Sequence, residues 1–228
     1  MDKVLLVIPA FNEEKNIERV VEDLVRGFPY LDYVVVNDGS RDSTAKICRD
    51  KGYNLLDLPV NLGLAGCFQA GMKYAYRKGY RYAIQFDGDG QHRPEYIEAM
   101  RQKMEEGYDI VIGSRFVTKK KGWSARMIGS RVIGSAIRLT TGTRVTDPTS
   151  GMRMFNRKMI GEFALNLNYG PEPDTVSFLI KQGARVAELQ VTIDERTEGE
   201  SYLKPLTAVH YMARMLISIL MIQNFRKR

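Results

Sequence analysis

A single-domain α/β fold, with a mostly parallel central sheet and helices on both faces, is predicted by three features of this 228-residue sequence. Apolar strand-like runs and amphipathic helical runs alternate four times within about 110 residues. That order builds a parallel sheet covered on both sides. Polar clusters at residues 9–14, 37–40, 61–63 and 87–91 each follow a strand run. Ligands of such sheets bind beyond the carboxyl ends of the strands, so the clusters converge on one crevice. Composition agrees, because 44% hydrophobic and 27% charged residues are ordinary for a soluble globular chain.

Lys3 to Ile8 reads as an apolar strand ended by Pro9. Ile17, Val20, Val21, Leu24, Val25 and Phe28 then recur at helical spacing. Asn12 is placed to cap this helix, and Glu13 and Glu14 suit its positive end. Tyr33 to Val36 is a second strand, stopped by Asn37-Asp38-Gly39-Ser40. A helix begins near Asp42-Ser43-Thr44 and ends at Gly52. Asn54 to Leu58 forms a third strand, followed by Asn61-Leu62-Gly63 and a helix to about Lys78. The strand Tyr82 to Phe86 leads to a helix that starts at Pro94 and runs to Glu106, and Asp109 to Ile112 is another strand. Residues 124–140 read as a helix, Met152 to Phe155 as a strand, and 156–167 and 174–182 as helices. Val186 to Ile193 alternates like a half-buried strand, and a last helix begins near Lys204.

The stretch Phe86-Asp87-Gly88-Asp89-Gly90-Gln91-His92 sets two carboxylates one residue apart at a strand's end. Such a pair is costly unless neutralised, and a hard divalent cation that also holds phosphate is one remedy. A solvated Asp-Gly turn is the other. The glycine fingerprint of a nicotinamide site is missing, because the first turn is Pro-Ala-Phe-Asn-Glu-Glu.

Charge is uneven. Of the net +7, residues 113–158 carry +10 (eleven Lys/Arg against Asp147), which leaves −3 for the rest. One basic segment on a mildly acidic body points to an anionic partner there. Cys48 and Cys67 lack metal-ligand spacing and read as buried thiols. No basic-then-apolar leader opens the chain, which implies a cytoplasmic location.

The motifs Val7-Ile8-Pro9-Ala10-Phe11-Asn12-Glu13-Glu14, Val36-Asn37-Asp38-Gly39-Ser40 and Asp87-Gly88-Asp89 together resemble glycosyltransferase family 2, with its GT-A fold. Ser150-Gly151-Met152-Arg153 and Arg196-x-x-Gly199-x-Ser201 look like its polyprenyl-phosphate sugar-transferase branch, typified by the dolichol-phosphate mannose synthases. The resemblance implies a metal-dependent, inverting transferase. It would move a sugar from a UDP- or GDP-sugar to a polyprenyl phosphate at the cytoplasmic membrane face. It implies a donor site of Pro9, Ala10, Asn12, Glu13, Asp38, Gly39, Ser40, Gly63, Asp87, Gly88 and Asp89. Asp87, Asp89 and Gln91 would hold Mg²⁺ or Mn²⁺. Arg115, Arg126, Arg131, Arg196 and Ser201 would grip the acceptor phosphate, since guanidinium binds phosphate in a bidentate fork. Asp89, Asp147, Arg131 and Arg196 are the catalytic candidates. Asp147 is either a general base or a turn residue.

A lipid acceptor requires contact with a membrane. Residues 1–202 would form the transferase domain and 203–228 an amphipathic helix, interfacial or partner-docking. Lys204, His210 and Arg214 interrupt it too often for a span. Lys119–Lys121 and Trp123 are further candidate contacts, making the protein peripheral on the inner face. A small membrane subunit or a homo-oligomer would be an alternative anchor. Two other readings are transfer to a saccharide or protein hydroxyl, with Asp147 as base, and nucleic-acid binding by the basic segment. No recognised nucleic-acid motif supports the last.

Overall fold

The computed structural model describes residues 3–88, 90–166, 169–194 and 205–223, with residues 205–209 described by backbone alone. In chain order the elements are β1 (Val4–Ala10), α1 (Ile17–Gly27), β2 (Asp32–Asn37), α2 (Thr44–Asp50), β3 (Leu55–Asp57) and α3 (Gly63–Lys78). Next come β4 (Tyr82–Gln85), α4 (Tyr96–Glu105), β5 (Ile110–Ser114), α5 (Ala125–Thr141), β6 (Arg153–Asn156) and α6 (Arg157–Gly161). The last are α7 (Pro173–Lys181), β7 (Val186–Gln190) and α8 (Pro205–Ile217). The seven strands form one sheet in the order β3-β2-β1-β4-β6-β5-β7. All neighbours are parallel except β6, which runs antiparallel to both β4 and β5. The expected α/β architecture is therefore what the chain adopts.

Strand residues alternate between two cores. Leu5, Val7, Val34, Val36, Ile110 and Ile112 pack on one side with α3, α5, α6 and α7. Val4, Leu6, Ile8, Val35, Ile84 and Val111 pack on the other with α1, α2 and α4. The first core centres on Phe68, Phe155 and Phe163, whose rings meet edge to face at 5.0–5.6 Å. That is the arrangement aromatic quadrupoles prefer.

Several local expectations shift. Asn12 does not cap α1. The helix starts at Ile17 after Asn16, and Asn12 sits in the left-handed region with φ 55°. Pro94 lies outside α4, in a turn whose carbonyl accepts from the Ile97 N–H at 3.0 Å. The helix read over 156–167 is short α6 followed by a π-helical turn, Glu162–Asn166. In β7 every residue is half-buried rather than alternating, as befits an edge strand in a sheet covered on both faces. The C-terminal helix packs on α5 and α7 with Met215 and Ile219 in the core, while Ile217, Met221 and Ile222 stay exposed. Among the described residues no helix is long and apolar enough to cross a membrane.

Helix α3 approaches β1 so closely that a Cβ on Gly71 would lie 2.2 Å from Val7 Cγ1. Alanine there gains about 1 kcal/mol of helix propensity but overpacks the core at a cost of about 1–3 kcal/mol. Gly71→Ala is therefore expected to destabilise the protein, read as a lower urea midpoint. A raised midpoint would contradict this packing.

Candidate active site

The four strand-end clusters meet in one cleft of ≈ 1080 Å³. Pro9, Ala10, Asn12 and Glu13 line it from the loop after β1, Asp38 from β2, Gly63 from α3, and Asp87 and Gly88 from β4. Parallel β1, β2 and β4 all end at this edge, so chain order alone brings the clusters together.

Two loops form the wall by exchanging hydrogen bonds. The backbone N–H groups of Asn12, Glu13 and Glu14 donate to Ser40 Oγ (3.0 Å), Thr44 Oγ1 (2.9 Å) and Asp42 Oδ2 (3.1 Å). In return, the N–H groups of Arg41 and Ser43 donate to Asn12 Oδ1 (2.9 Å) and Glu14 Oε2 (3.0 Å). Burial pushes the Asp42 carboxyl up, but the hydroxyl and N–H of Thr44 and the Glu14 N–H outweigh it and hold it below the usual range.

Ser40 thus braces the loop and, with Gly39, is absent from the cleft lining. Gly39 has φ +65°, and a Cβ there would lie 2.7 Å from the backbone of Val60 and Asn61. Asp38 is buried. Its Oδ1 accepts from the Leu62 N–H at 2.7 Å, beside the start of α3. Glu13 Oε2 accepts from Asn16 Nδ2 at 2.8 Å. Asp38 thus fixes the backbone at Leu62 and Glu13 the Asn16 side chain, and both residues line the cleft. Cys67 lines it too, but burial, helped by the charge of Asp38, pushes its thiol up to about 12. It is protonated at neutral pH and no nucleophile.

Asp87 is held from several sides. Gln85 Nε2 reaches Oδ1 at 3.4 Å, and His92 Nε2 lies 3.4 Å from Oδ2. His92 is buried against Phe86, and its Nδ1 accepts the Asp87 N–H at 2.9 Å. That bond assigns the ring proton to Nε2, facing the carboxylate. A Cβ on Gly151 would lie 2.9 Å from Asp87 Oδ2, so only glycine leaves the pair its room. The Asp87 side chain is 33% exposed, and no Lys or Arg pairs with it among the described residues. A part-exposed carboxylate in a cleft, with no Lys or Arg bonded to it among the described residues, fits a hard divalent cation.

Asp89 lies outside the described residues, and among those described no three His, Cys, Asp or Glu side chains gather as a metal cluster. Gln91 does not line the cleft. Its Nε2 donates to the Asp194 carbonyl at 3.3 Å, and its own carbonyl accepts the Asp194 N–H at 3.0 Å.

The basic segment is organised around Asp147. Arg115 grips its carboxylate with Nε (2.7 Å) and Nη2 (2.9 Å), and the Arg115 N–H adds a third bond at 3.1 Å. Glu188 in turn accepts the N–H groups of Thr146 (2.7 Å) and Asp147 (2.8 Å). Asp147 is wholly closed to solvent. Its oxygens are taken up by Arg115 and shielded, whereas a general base must reach the proton it removes. Arg115 is correspondingly occupied on one edge.

Arg131 Nη2 donates to the Lys121 carbonyl at 2.5 Å and its guanidinium lies 4.7 Å from the Trp123 ring. Arg126 is exposed in the first turn of α5. Arg196 and Ser201 lie outside the described residues. Sequence reasoning took Lys121 for a membrane contact and missed Ser130 and Thr149; the structure places all three beside these arginines. Only the small hydroxyl residues interleaved with the basic ones signalled them.

Residues 5–163, more than half of the chain, match the profile described as glycosyl transferase family 2. The chain belongs to that family. An uncharacterised protein of Methanocaldococcus jannaschii is 33% identical over 83% of this chain and 81% of its own. The polyprenol monophosphomannose synthase of Mycolicibacterium smegmatis is 27% identical over 87% of this chain and 80% of its own. In fold the glycosyltransferase resembles glucosyl-3-phosphoglycerate synthase of Mycobacterium tuberculosis, solved with Mn²⁺, uridine diphosphate and glucosyl-3-phosphoglycerate. The TM-score is 0.74 at 19% identity, over 100% of this chain and 81% of that one. The fold is accordingly GT-A.

Removing one partner of a buried ion pair typically costs about 3–5 kcal/mol, and the part-exposed Arg115 reduces that here to about 2–4 kcal/mol. Asp147→Asn is expected to lower unfolding stability by that amount in denaturant titrations. Undiminished stability with abolished turnover would restore the base role.

Proposed function

We propose that this glycosyltransferase moves a sugar from a nucleoside-diphosphate sugar to a polyprenyl phosphate, with Mg²⁺ or Mn²⁺, at the inner face of the cell membrane. The observation that carries the reading is how residues 147–151 join two halves of opposite charge. At one end Asp147 and Thr149 engage Arg115, and at the other Gly151 packs against Asp87. An acid-lined cleft suited to a metal-bound diphosphate thus stands next to a cation-rich segment suited to an anionic acceptor. The name of the mycolicibacterial relative supports the acceptor class, and the Mn²⁺ and uridine diphosphate in the mycobacterial synthase support the donor and metal.

In this reading Asp38 and Glu13 receive the nucleoside, through hydrogen bonds to base or ribose. Asp87, kept in orientation by His92 and Gln85, would hold the metal together with Asp89, and Gln91 braces the chain against Asp194. The metal, when bound, offsets the charge growing on the departing diphosphate. The acceptor phosphate oxygen attacks the anomeric carbon from the face opposite the diphosphate, so the C–O bond to the donor breaks as the new one forms and configuration inverts. A phosphate monoester has a second pKa of about 6 and arrives largely as the dianion. It has no proton to lose, which agrees with the closure of Asp147. Arg115, Arg131 and Arg126 orient it, and Arg196 and Ser201 are assigned to the same task from their motif alone. Exposed Trp123, Ile128, Val132, Ile217, Met221 and Ile222 offer apolar contact to the lipid surface.

Transfer assays with UDP- and GDP-sugars, Mn²⁺ and a short-chain polyprenyl monophosphate test the reading. One donor is expected to transfer to the monophosphate and none to the matching alcohol. Asp87→Ala is expected to reduce the rate by about 10²-fold or more. Equal transfer to the alcohol, or to a free saccharide, would overturn it.

A further inference from the structure

We propose that Lys121 is a specificity-determining ligand of the acceptor's phosphate monoester and completes a half-buried box of cations with Arg115 and Arg131. The inference rests on the phosphate-acceptor reading above and names a residue that reading did not use.

The run Lys119-Lys120-Lys121 looks in sequence like three equivalent solvated lysines. In the fold they differ. Lys119 and Lys120 are exposed, while Lys121 is half-buried, with Nζ 2.7 Å from Ser130 Oγ and 5.2 Å from the centre of the Phe116 ring. The Arg115 guanidinium lies 5.1 Å from the same ring. A hydroxyl relay closes the circle. Ser130 Oγ is 3.4 Å from Thr149 Oγ1, which accepts from Arg115 Nη2 at 3.5 Å. Arg131 enters over Trp123, giving one Nη to the Lys121 carbonyl and leaving Nη1 buried with no partner among the described residues.

The charges in this box do not balance. Its acids are Asp147 and Glu188. Asp147 is filled by two nitrogens of Arg115 and a backbone N–H. Glu188 is taken up by two backbone N–H groups. Among the described residues, Lys121 and Arg131 are left with neutral hydrogen-bond partners only. Desolvation pushes the Lys121 ammonium down from its ordinary pKa, partly opposed by Asp147, and Arg115 and Arg131 push the same way as burial. Partly buried cations without counter-charge are costly to a fold unless an anion completes them. A phosphate monoester brings two negative charges and three acceptor oxygens, matching the spare donors of Lys121 and Arg131. A neutral hydroxyl acceptor would leave both cations unpaired, so the box selects for the phosphate.

The chain's single tryptophan, Trp123, stacks on Arg131, so its fluorescence reports on the box. Titrating inorganic phosphate into the full-length protein without lipid is expected to change that fluorescence saturably. The change should be lost in Lys121→Met and kept in Lys121→Arg. In detergent, with a short-chain polyprenyl monophosphate, Lys121→Met is expected to raise the acceptor KM roughly 10- to 100-fold, as for loss of a charge-assisted hydrogen bond. Donor binding in the presence of Mn²⁺ should be unchanged, and Lys119→Met should move the acceptor KM less. Flotation on phosphatidylglycerol vesicles lacking polyprenyl phosphate should be the same for Lys121→Met as for the parent, which separates the box from the membrane surface. If Lys121→Met unfolds, Lys121→Gln keeps the contact to Ser130 without the charge and is read in the same way. An unchanged acceptor KM in a folded variant, or a KM change matched by lost flotation, would overturn the proposal. Phosphate-dependent fluorescence without any transfer to polyprenyl phosphate would sink the acceptor reading alone.

Discussion

Hydrogen bonds exchanged between the loops after β1 and β2 hold open the cleft on which the rest of the site depends. Neither loop has a ladder partner at these positions, so side chains must supply the acceptors that fix its backbone. Each loop supplies the other's missing acceptors: Ser40, Thr44 and Asp42 serve residues 12–14, and Asn12 and Glu14 serve residues 41 and 43. Asn12 reaches its partner only by adopting a positive φ, which asparagine tolerates better than most residues. The close approach at Gly39 brings in the loop after β3, and Asp38 Oδ1 fastens it through Leu62. Three strand ends are thereby tied into one wall, with Asp87 facing it from β4.

The second organising contact is the buried pair of Arg115 and Asp147. Strand β5 ends one residue before Arg115, while the segment before antiparallel β6 carries Asp147. Because β6 runs backwards between β4 and β5, its leading segment passes from the basic cluster to the carboxylate at the end of β4. Reversal of a single strand in an otherwise parallel sheet brings donor chemistry and acceptor chemistry side by side. Three parallel neighbours there would have placed that segment at the opposite edge.

Much of this was legible from local pattern. Strand and helix periods, and polar clusters that stop strands, depend on near neighbours in sequence, and they located Glu13, Asp38, Gly63 and Asp87 at one edge. What local pattern could not supply was the identity of distant partners. Asn12 suits a helix cap by type, but its Oδ1 binds the N–H of Arg41, 29 residues away. Asp147 sits in a turn-forming Asp-Pro-Thr-Ser-Gly run, and only the arginine 32 residues earlier makes it a buried anchor. Lys119, Lys120 and Lys121 are chemically identical, and packing against Ser130 and Phe116 alone distinguishes the third. His92 gave no periodic signal, yet the tight turn after β4 folds it back onto Asp87. Missed or misassigned residues are thus those whose role is defined by a folded contact rather than by the periodic pattern.

The central claim is that the strand-end cleft is the donor site, and hydrogen–deuterium exchange with a nucleotide sugar and Mn²⁺ tests it most directly. Binding is expected to slow exchange together in peptides covering residues 9–16, 38–44, 61–67 and 85–88, because one ligand fills one cleft lined by all four. Protection confined to the basic segment, or to the helix after residue 205, would contradict the account.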